Sequence, residues 1–166
     1  MKTKLALFLA LLSVCILTAC SREVHLYPIQ GPLASQTPTP IFAAKITGAF
    51  NSGSITATLA NGEVFSGPWK MISVKKRMKS AATGAPGQLS LASAWDTVYG
   101  QDFYTAHVLG TPLFVQAVLT GNQGTVLQVE MYRQEHGSDT GPNSVAPLDI
   151  RGVAKDSKGN IFKIVI

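Results

Sequence analysis

The run Ser54 to Ala60 sets Ile55, Ala57 and Leu59 against Thr56 and Thr58, and Asn61-Gly62 then leads into Glu63-Val64-Phe65. A period of two sends alternate side chains to opposite faces of a strand, one apolar and one polar. Asn-Gly between two such runs provides the pair of residues that a tight hairpin turn demands. This segment therefore commits the chain to antiparallel sheet. Ala44 to Phe50 comes before it, joined through Asn51-Ser52-Gly53, which predicts a three-stranded meander. Gly67-Pro68 interrupts the third strand ahead of Trp69 to Val74. Proline has no N–H to give to a ladder, so it predicts a sheet edge or a bulge there.

Sheet character returns over Leu89 to Tyr99, Tyr104 to Leu109, Leu113 to Thr120 and Thr125 to Arg133. In the last of these, Leu127, Val129 and Met131 share one face, and Gln128, Glu130 and Tyr132 the other. Lys76 to Gln88 loses the alternation and reads as an exposed excursion, and Glu135 to Pro147 reads as a long loop. Leu148 to Lys155, the turn Asp156-Ser157-Lys158-Gly159-Asn160 and Ile161 to Ile166 close the chain. In that turn Asp156 is expected to bond its own backbone and Gly159 to be left-handed. The pattern predicts an all-β fold: a small antiparallel β-sandwich or a partly closed β-barrel of seven to nine strands, with no helix beyond two turns. It occupies 41–166 as a single domain.

The first residues have a different character. Lys2 and Lys4 precede an uncharged run from Leu5 to Ile16, and small residues follow at Thr18 and Ala19, the layout of a secretory signal peptide. Leu5 to Ala19 rises only about 22 Å as a helix against a hydrocarbon core of about 30 Å, too short for a comfortable span. The leader ends Leu17-Thr18-Ala19-Cys20. This resembles the lipobox of bacterial lipoprotein precursors: an aliphatic residue, two small residues and an obligatory Cys. The resemblance implies recognition of Leu17, Thr18 and Ala19 by a signal peptidase, cleavage of 1–19, a diacylglyceryl thioether on Cys20 and an acyl chain such as palmitate on the new amino terminus. Only a thiolate is nucleophilic enough near neutral pH to take the lipid readily. Ser21 at the next position, where enterobacterial sorting reads Asp as retention, implies delivery to the outer membrane.

Residues 20–40 contain Pro28, Pro32, Pro38 and Pro40 and read as a lipidated Cys followed by a flexible tether, with His25 and Tyr27 as exposed linker. The resemblance implies that Cys15 leaves with the leader and Cys20 is acylated, which would leave no thiol for a disulfide, a zinc site or a nucleophile. No cofactor is expected beyond the covalent lipid. Gly-x-Ala-x-Asp-x-x-Gly-Asn over Gly152 to Asn160 is similar to small β-rich envelope lipoproteins, a likeness that carries no activity. Gly62 to Trp69 resembles one membrane-occupation hairpin repeat, although a single copy makes no array.

Catalytic signatures do not emerge. The sequence holds no Gly-x-Ser-x-Gly elbow, His-Glu-x-x-His helix or Walker-type loop. His107, His136, Asp96, Asp102, Asp139 and Asp149 with the many Ser residues are the raw material of a dispersed hydrolase-like site, but their number alone guarantees such a collection. Lys158 inside the Asp156 turn argues against calcium. Trp69, Trp95, Phe65, Tyr99, Phe103 and Tyr104 read as core or cap residues.

The net charge of +5 falls to +3 without Lys2 and Lys4, too little to argue for nucleic acid. Lys75, Lys76, Arg77 and Lys79 form the one basic cluster, which is either a solvated loop or a surface for lipid A, anionic headgroups or peptidoglycan carboxylates. The expectation is a non-enzymatic binding or structural module. It is lipid-anchored in the bacterial envelope on the periplasmic side of the outer membrane, where an envelope protein, peptidoglycan or lipopolysaccharide is its contact. The alternatives are an envelope enzyme or an accessory subunit of a larger envelope machine.

Overall fold

A computed structural model describes residues 21–49, 51–83, 91–133 and 150–165. Eight strands form a closed antiparallel barrel in strict sequence order: β1 (Ser21–Gln30), β2 (Phe42–Ala49), β3 (Ser52–Thr58), β4 (Val64–Met71), β5 (Phe114–Gly121), β6 (Val126–Arg133), β7 (Ile150–Asp156) and β8 (Ile161–Val165). The all-β expectation holds, and of its two architectures the barrel is the one present. Closure comes from β1, which pairs with β2 on one side and β8 on the other.

That strand corrects the tether. Residues 21–30 are a barrel wall: Val24, Leu26 and Pro28 are buried while Glu23 and His25 are exposed, a period of two that the prolines obscure. Pro28 is accommodated because the β1–β8 register shifts between Pro28 and Gln30. The following connection is also held to the barrel, since the Leu33 amide donates to Asn160 Oδ1 at 2.9 Å.

Pro68 corrects a second expectation. β4 runs unbroken through it, and the β4–β5 register is the same on both sides of it, with the ladder passing from Ser66↔Thr120 to Trp69↔Ala117. A barrel without edges tolerates the missing N–H as a gap in one ladder.

The inward side chains fill the barrel. Phe65, Phe162, Phe42, Leu119 and Leu127 pack its lower end, and Val24, Ala44, Ala57, Val129 and Ala154 its middle, leaving a void of only about 10 Å³. The small residues make room for the large ones, and a Cβ on Gly152 would lie 2.7 Å from Met131 Cγ.

Between β4 and β5 the described residues are mainly helical, which overturns two expected strands and the expected limit of two turns, the first helix being ten residues long. α1 (Val74–Thr83) is followed by α2 (Ala92–Tyr99) and a π-helical turn over Tyr104–Val108. Residues 91–99 and Tyr104 to Leu109 are therefore not sheet, and Leu89 and Ser90, the start of the first expected strand, lie outside the described residues. Leu91, Ala94 and Trp95 fall at the spacing that buries one helical face. With Val108 they cover the outer surface of β5 to β8, forming a second core with Phe114, Tyr132 and Val153. None of the helices among the described residues is long and apolar enough to cross a membrane.

Candidate functional site

An up-and-down barrel gathers its connections at two ends, and here the ends differ. The lower end is sealed. Glu63 is fully buried there, its Oε1 accepting from the Thr125 amide at 3.3 Å and its Oε2 from Lys158 Nζ at 3.1 Å. Burial opposes its ionisation, but these hydrogen bonds and the Lys158 charge outweigh it and hold the carboxyl below the ordinary range. Beside it, Asp156 Oδ1 accepts from the amides of Lys158 and Asn160 at 2.9 and 2.8 Å, and Gly159 has φ of 87°, the turn expected from the sequence.

The upper end is open among the described residues. β1 begins there, as do β3, β5 and β7, while β2, β4, β6 and β8 finish there. It holds a cavity of about 390 Å³, within the range of small-ligand pockets. Its apolar wall is Ile46, Trp69, Met71, Leu113, Val115, Met131 and Ile150. The polar groups at its rim come from Ser21, Arg22, Thr47 and Arg133.

Strand parity explains how two arginines reach this cavity. Arg22 lies two residues before buried Val24 on β1, and Arg133 two residues after buried Met131 on β6, so both take inward-facing positions. Being at the strand ends, they meet solvent instead of the packed core, and both are exposed. Neither meets a carboxylate among the described residues.

Another part of the wall is set by Trp69 on β4, between the strands that carry the two arginines. Its Nε1 donates to the Thr47 carbonyl at 2.9 Å, which lays the indole against Gly48 and Gly53. A Cβ on Gly53 would meet the Thr47 carbonyl oxygen first and stand 2.5 Å from that nitrogen, so the glycine makes the space for both the close β2 backbone and the ring bonded to it.

The basic cluster does not survive as a unit. Lys75, Lys76 and Lys79 are exposed on α1, whereas Arg77 is only 3% exposed and cannot serve an external anionic surface. Its guanidinium donates from Nη1 to the Ile72 carbonyl at 2.9 Å and from Nη2 to the carbonyls of Leu109, at 3.0 Å, and Thr111. It also lies 4.3 Å from the centre of the Phe114 ring. Arg77 thus ties the end of the helical insertion to the barrel.

Glu130, outward on β6, is the matching anchor beneath α2. Its Oε2 accepts from Trp95 Nε1 at 2.8 Å, and its Oε1 from Gln116 Nε2 at 3.0 Å and the Leu91 amide at 3.2 Å. Burial pushes this carboxyl above the ordinary range, more than these bonds and Arg77 pull it down.

His107 is exposed on the π-helical turn, 4.7 Å centre to centre from Phe103, and Asp96 Oδ1 accepts from the Tyr104 amide at 3.1 Å. His107, Asp96 and Asp102, the described part of the dispersed His and Asp collection, are therefore not brought together by any contact among the described residues. Leu17, Thr18, Ala19, Cys20, His136, Asp139 and Asp149 lie outside the described residues. Ser21 is described, opening β1 opposite Thr47 at the cavity rim. The described residues contain no group of three or more His, Cys, Asp or Glu placed to hold a metal. Sequence reasoning did not find the cavity, whose signal is Arg at an inward position on two strands.

No family model, curated protein or solved structure matches this chain.

Proposed function

We propose that the chain is a lipid-anchored, non-enzymatic binding module of the bacterial cell envelope whose binding site is the open mouth of the barrel. The observation that carries this reading is that Ser21, the residue directly after the lipobox Cys20, opens β1 at the rim of the cavity. An anchor on Cys20 therefore holds the mouth toward the membrane surface, with almost no intervening chain. Two or three acyl chains make such attachment stable where a single chain gives only reversible binding. By resemblance of the leader, and with Ser21 after the Cys, the membrane is the outer membrane and the barrel faces the periplasm.

Binding is supported over catalysis by what lines the cavity: among the described residues it offers no His, Cys or carboxylate to act as base or nucleophile. Lys75 and Lys76, exposed on the separate surface of α1, suit contact with peptidoglycan or lipopolysaccharide.

The test is performed in cells fed an alkyne-bearing palmitate analogue and carrying a photo-reactive phenylalanine in place of either Leu113, at the mouth, or Val118, exposed on the outer wall. The full chain is expected to acquire the alkyne and Cys20→Ser to lose it, with crosslinks concentrated at Leu113. An unlabelled full chain removes the anchor, and equal crosslinking from the two positions removes the mouth as the binding site.

A further inference from the structure

Resting on the reading of the mouth as a binding site, we infer that its ligand is a single-chain anionic amphiphile, an alkyl chain ending in a carboxylate or a phosphate. The alkyl chain lies in the cavity against Ile46, Val115 and Met131, and the anionic head meets Arg22 and Arg133.

Three features argue for this chemistry together. The cavity of about 390 Å³ is walled mainly by aliphatic side chains and the face of Trp69, a surface suited to methylene groups and to little else. It is blind, because the packed middle of the barrel beneath it leaves a void of only about 10 Å³. A ligand must therefore enter tail first and leave its head at the rim. The rim is where the strand pattern departs from its own rule: positions that continue the inward rows of Val24 and Met131 carry Arg22 and Arg133 in place of apolar residues. Planar guanidinium groups suit the two oxygens of a carboxylate or the oxygens of a phosphate, and neither arginine has a carboxylate partner among the described residues. A cationic head is repelled by that pair, and a neutral head gains only the weaker hydrogen bond of an uncharged acceptor.

The fold keeps this site separate from its own stability. Both arginines are exposed, and the barrel core and the Arg77 and Glu130 anchors lie elsewhere. The pair can therefore be altered without unfolding the wall.

Titration calorimetry on the full chain carrying Cys20→Ser, with decanoate, decyl phosphate, decanol and decyltrimethylammonium below their aggregation concentrations, tests the inference. Decanoate or decyl phosphate is expected to bind at one equivalent and at least about tenfold more tightly than decyltrimethylammonium, and the tighter of the two identifies the head. Arg22→Gln with Arg133→Gln is expected to weaken the anion about tenfold or more and to leave decanol within about twofold, a tenfold change being about 1.4 kcal/mol. Met71→Trp, which narrows the mouth, is expected to weaken all the probes, with thermal melts confirming that each variant is folded. Equal binding of all heads, or anion binding undiminished in the double variant, overturns the anionic class while leaving the mouth as a binding site. Absence of binding by every probe overturns the amphiphile itself, and the crosslinking at Leu113 then decides separately whether the mouth binds anything.

Discussion

Trp69 occupies the space that Gly53 leaves on the neighbouring strand: the indole Nε1 reaches the Thr47 carbonyl at 2.9 Å, and a Cβ on Gly53 would come within 2.5 Å of it. One wall of the barrel mouth is thus a tryptophan that, with the Thr47 carbonyl it bonds, depends on a missing methyl group. Gly53 is not among the glycines with positive φ, so its role is steric and not conformational.

Gly53→Ala is accordingly expected to displace both the Thr47 carbonyl and the ring that bonds it, at a cost of about 3 kcal/mol or more, the upper range for overpacking a fitted site because backbone must move. Trp69 and Trp95 are the two tryptophans of the chain, and Trp95 is fully buried in the second core. A red shift in the emission of Gly53→Ala therefore reports on Trp69. An unshifted spectrum with unchanged urea midpoint would show that the ring does not depend on the glycine.

The four cations at the start of the helical insertion are expected to divide sharply. Arg77→Met leaves the carbonyls of Ile72, Leu109 and Thr111 without their donor and is expected to cost about 3 kcal/mol or more. Lys75→Ser and Lys76→Ser, both at exposed positions, are expected to stay within about 0.5 kcal/mol. Urea unfolding of the three variants checks the division, and equal midpoints would contradict it.

The same cluster marks where the sequence was legible. Charge alone groups Arg77 with its neighbours, and only the helix shows that it faces inward while Lys75, Lys76 and Lys79 face out. The hairpin from Ser54 through Asn61-Gly62 was readable because one local rule, alternation around a turn, suffices for it. β3 and β4 pair in register from Ser52↔Lys70 to Thr58↔Val64 as a result. Ala92 to Tyr99 was misread because eight residues with apolar positions at both helical and strand spacings do not choose between them. Its helical state is fixed by Glu130 and Tyr132, distant in sequence, which receive Trp95. β1 was masked by composition, since four prolines in residues 20–40 signal a tether while Val24, Leu26 and Pro28 keep the period of a wall. The cavity needed closure of the barrel, because Arg22 and Arg133 lie far apart in the sequence and share a rim only through the topology.

Glu130 is expected to be the costliest polar residue to truncate. Glu130→Ala removes the acceptor of Trp95 Nε1, Gln116 Nε2 and the Leu91 amide together, in a site that is 1% exposed. The loss is expected at about 3–5 kcal/mol, with α2 releasing from the barrel first. Hydrogen exchange provides the check: amides of α2 should lose protection before those of β6, and simultaneous loss would mean that Glu130 does not secure the helix.

The two buried carboxylates should give stability opposite dependences on pH on either side of the ordinary carboxylate value of 4.5. Glu63 is shifted down, so below 4.5 the unfolded chain takes up its proton first, and the stability that Glu63 contributes is lost as the pH falls through its folded value. Glu130 is shifted up, so above 4.5 the folded chain retains a proton that the unfolded chain has released, and stability declines as the pH rises toward its folded value. Urea midpoints measured from about pH 3 to pH 8 should therefore rise and then fall through these two groups. Glu63→Gln should flatten the acid limb and leave the other, whereas Glu130→Gln should flatten the limb above 4.5 and leave the first. If one substitution removed both limbs, the sealed lower end and the helical insertion would be one coupled unit and not two independent anchors on the same barrel.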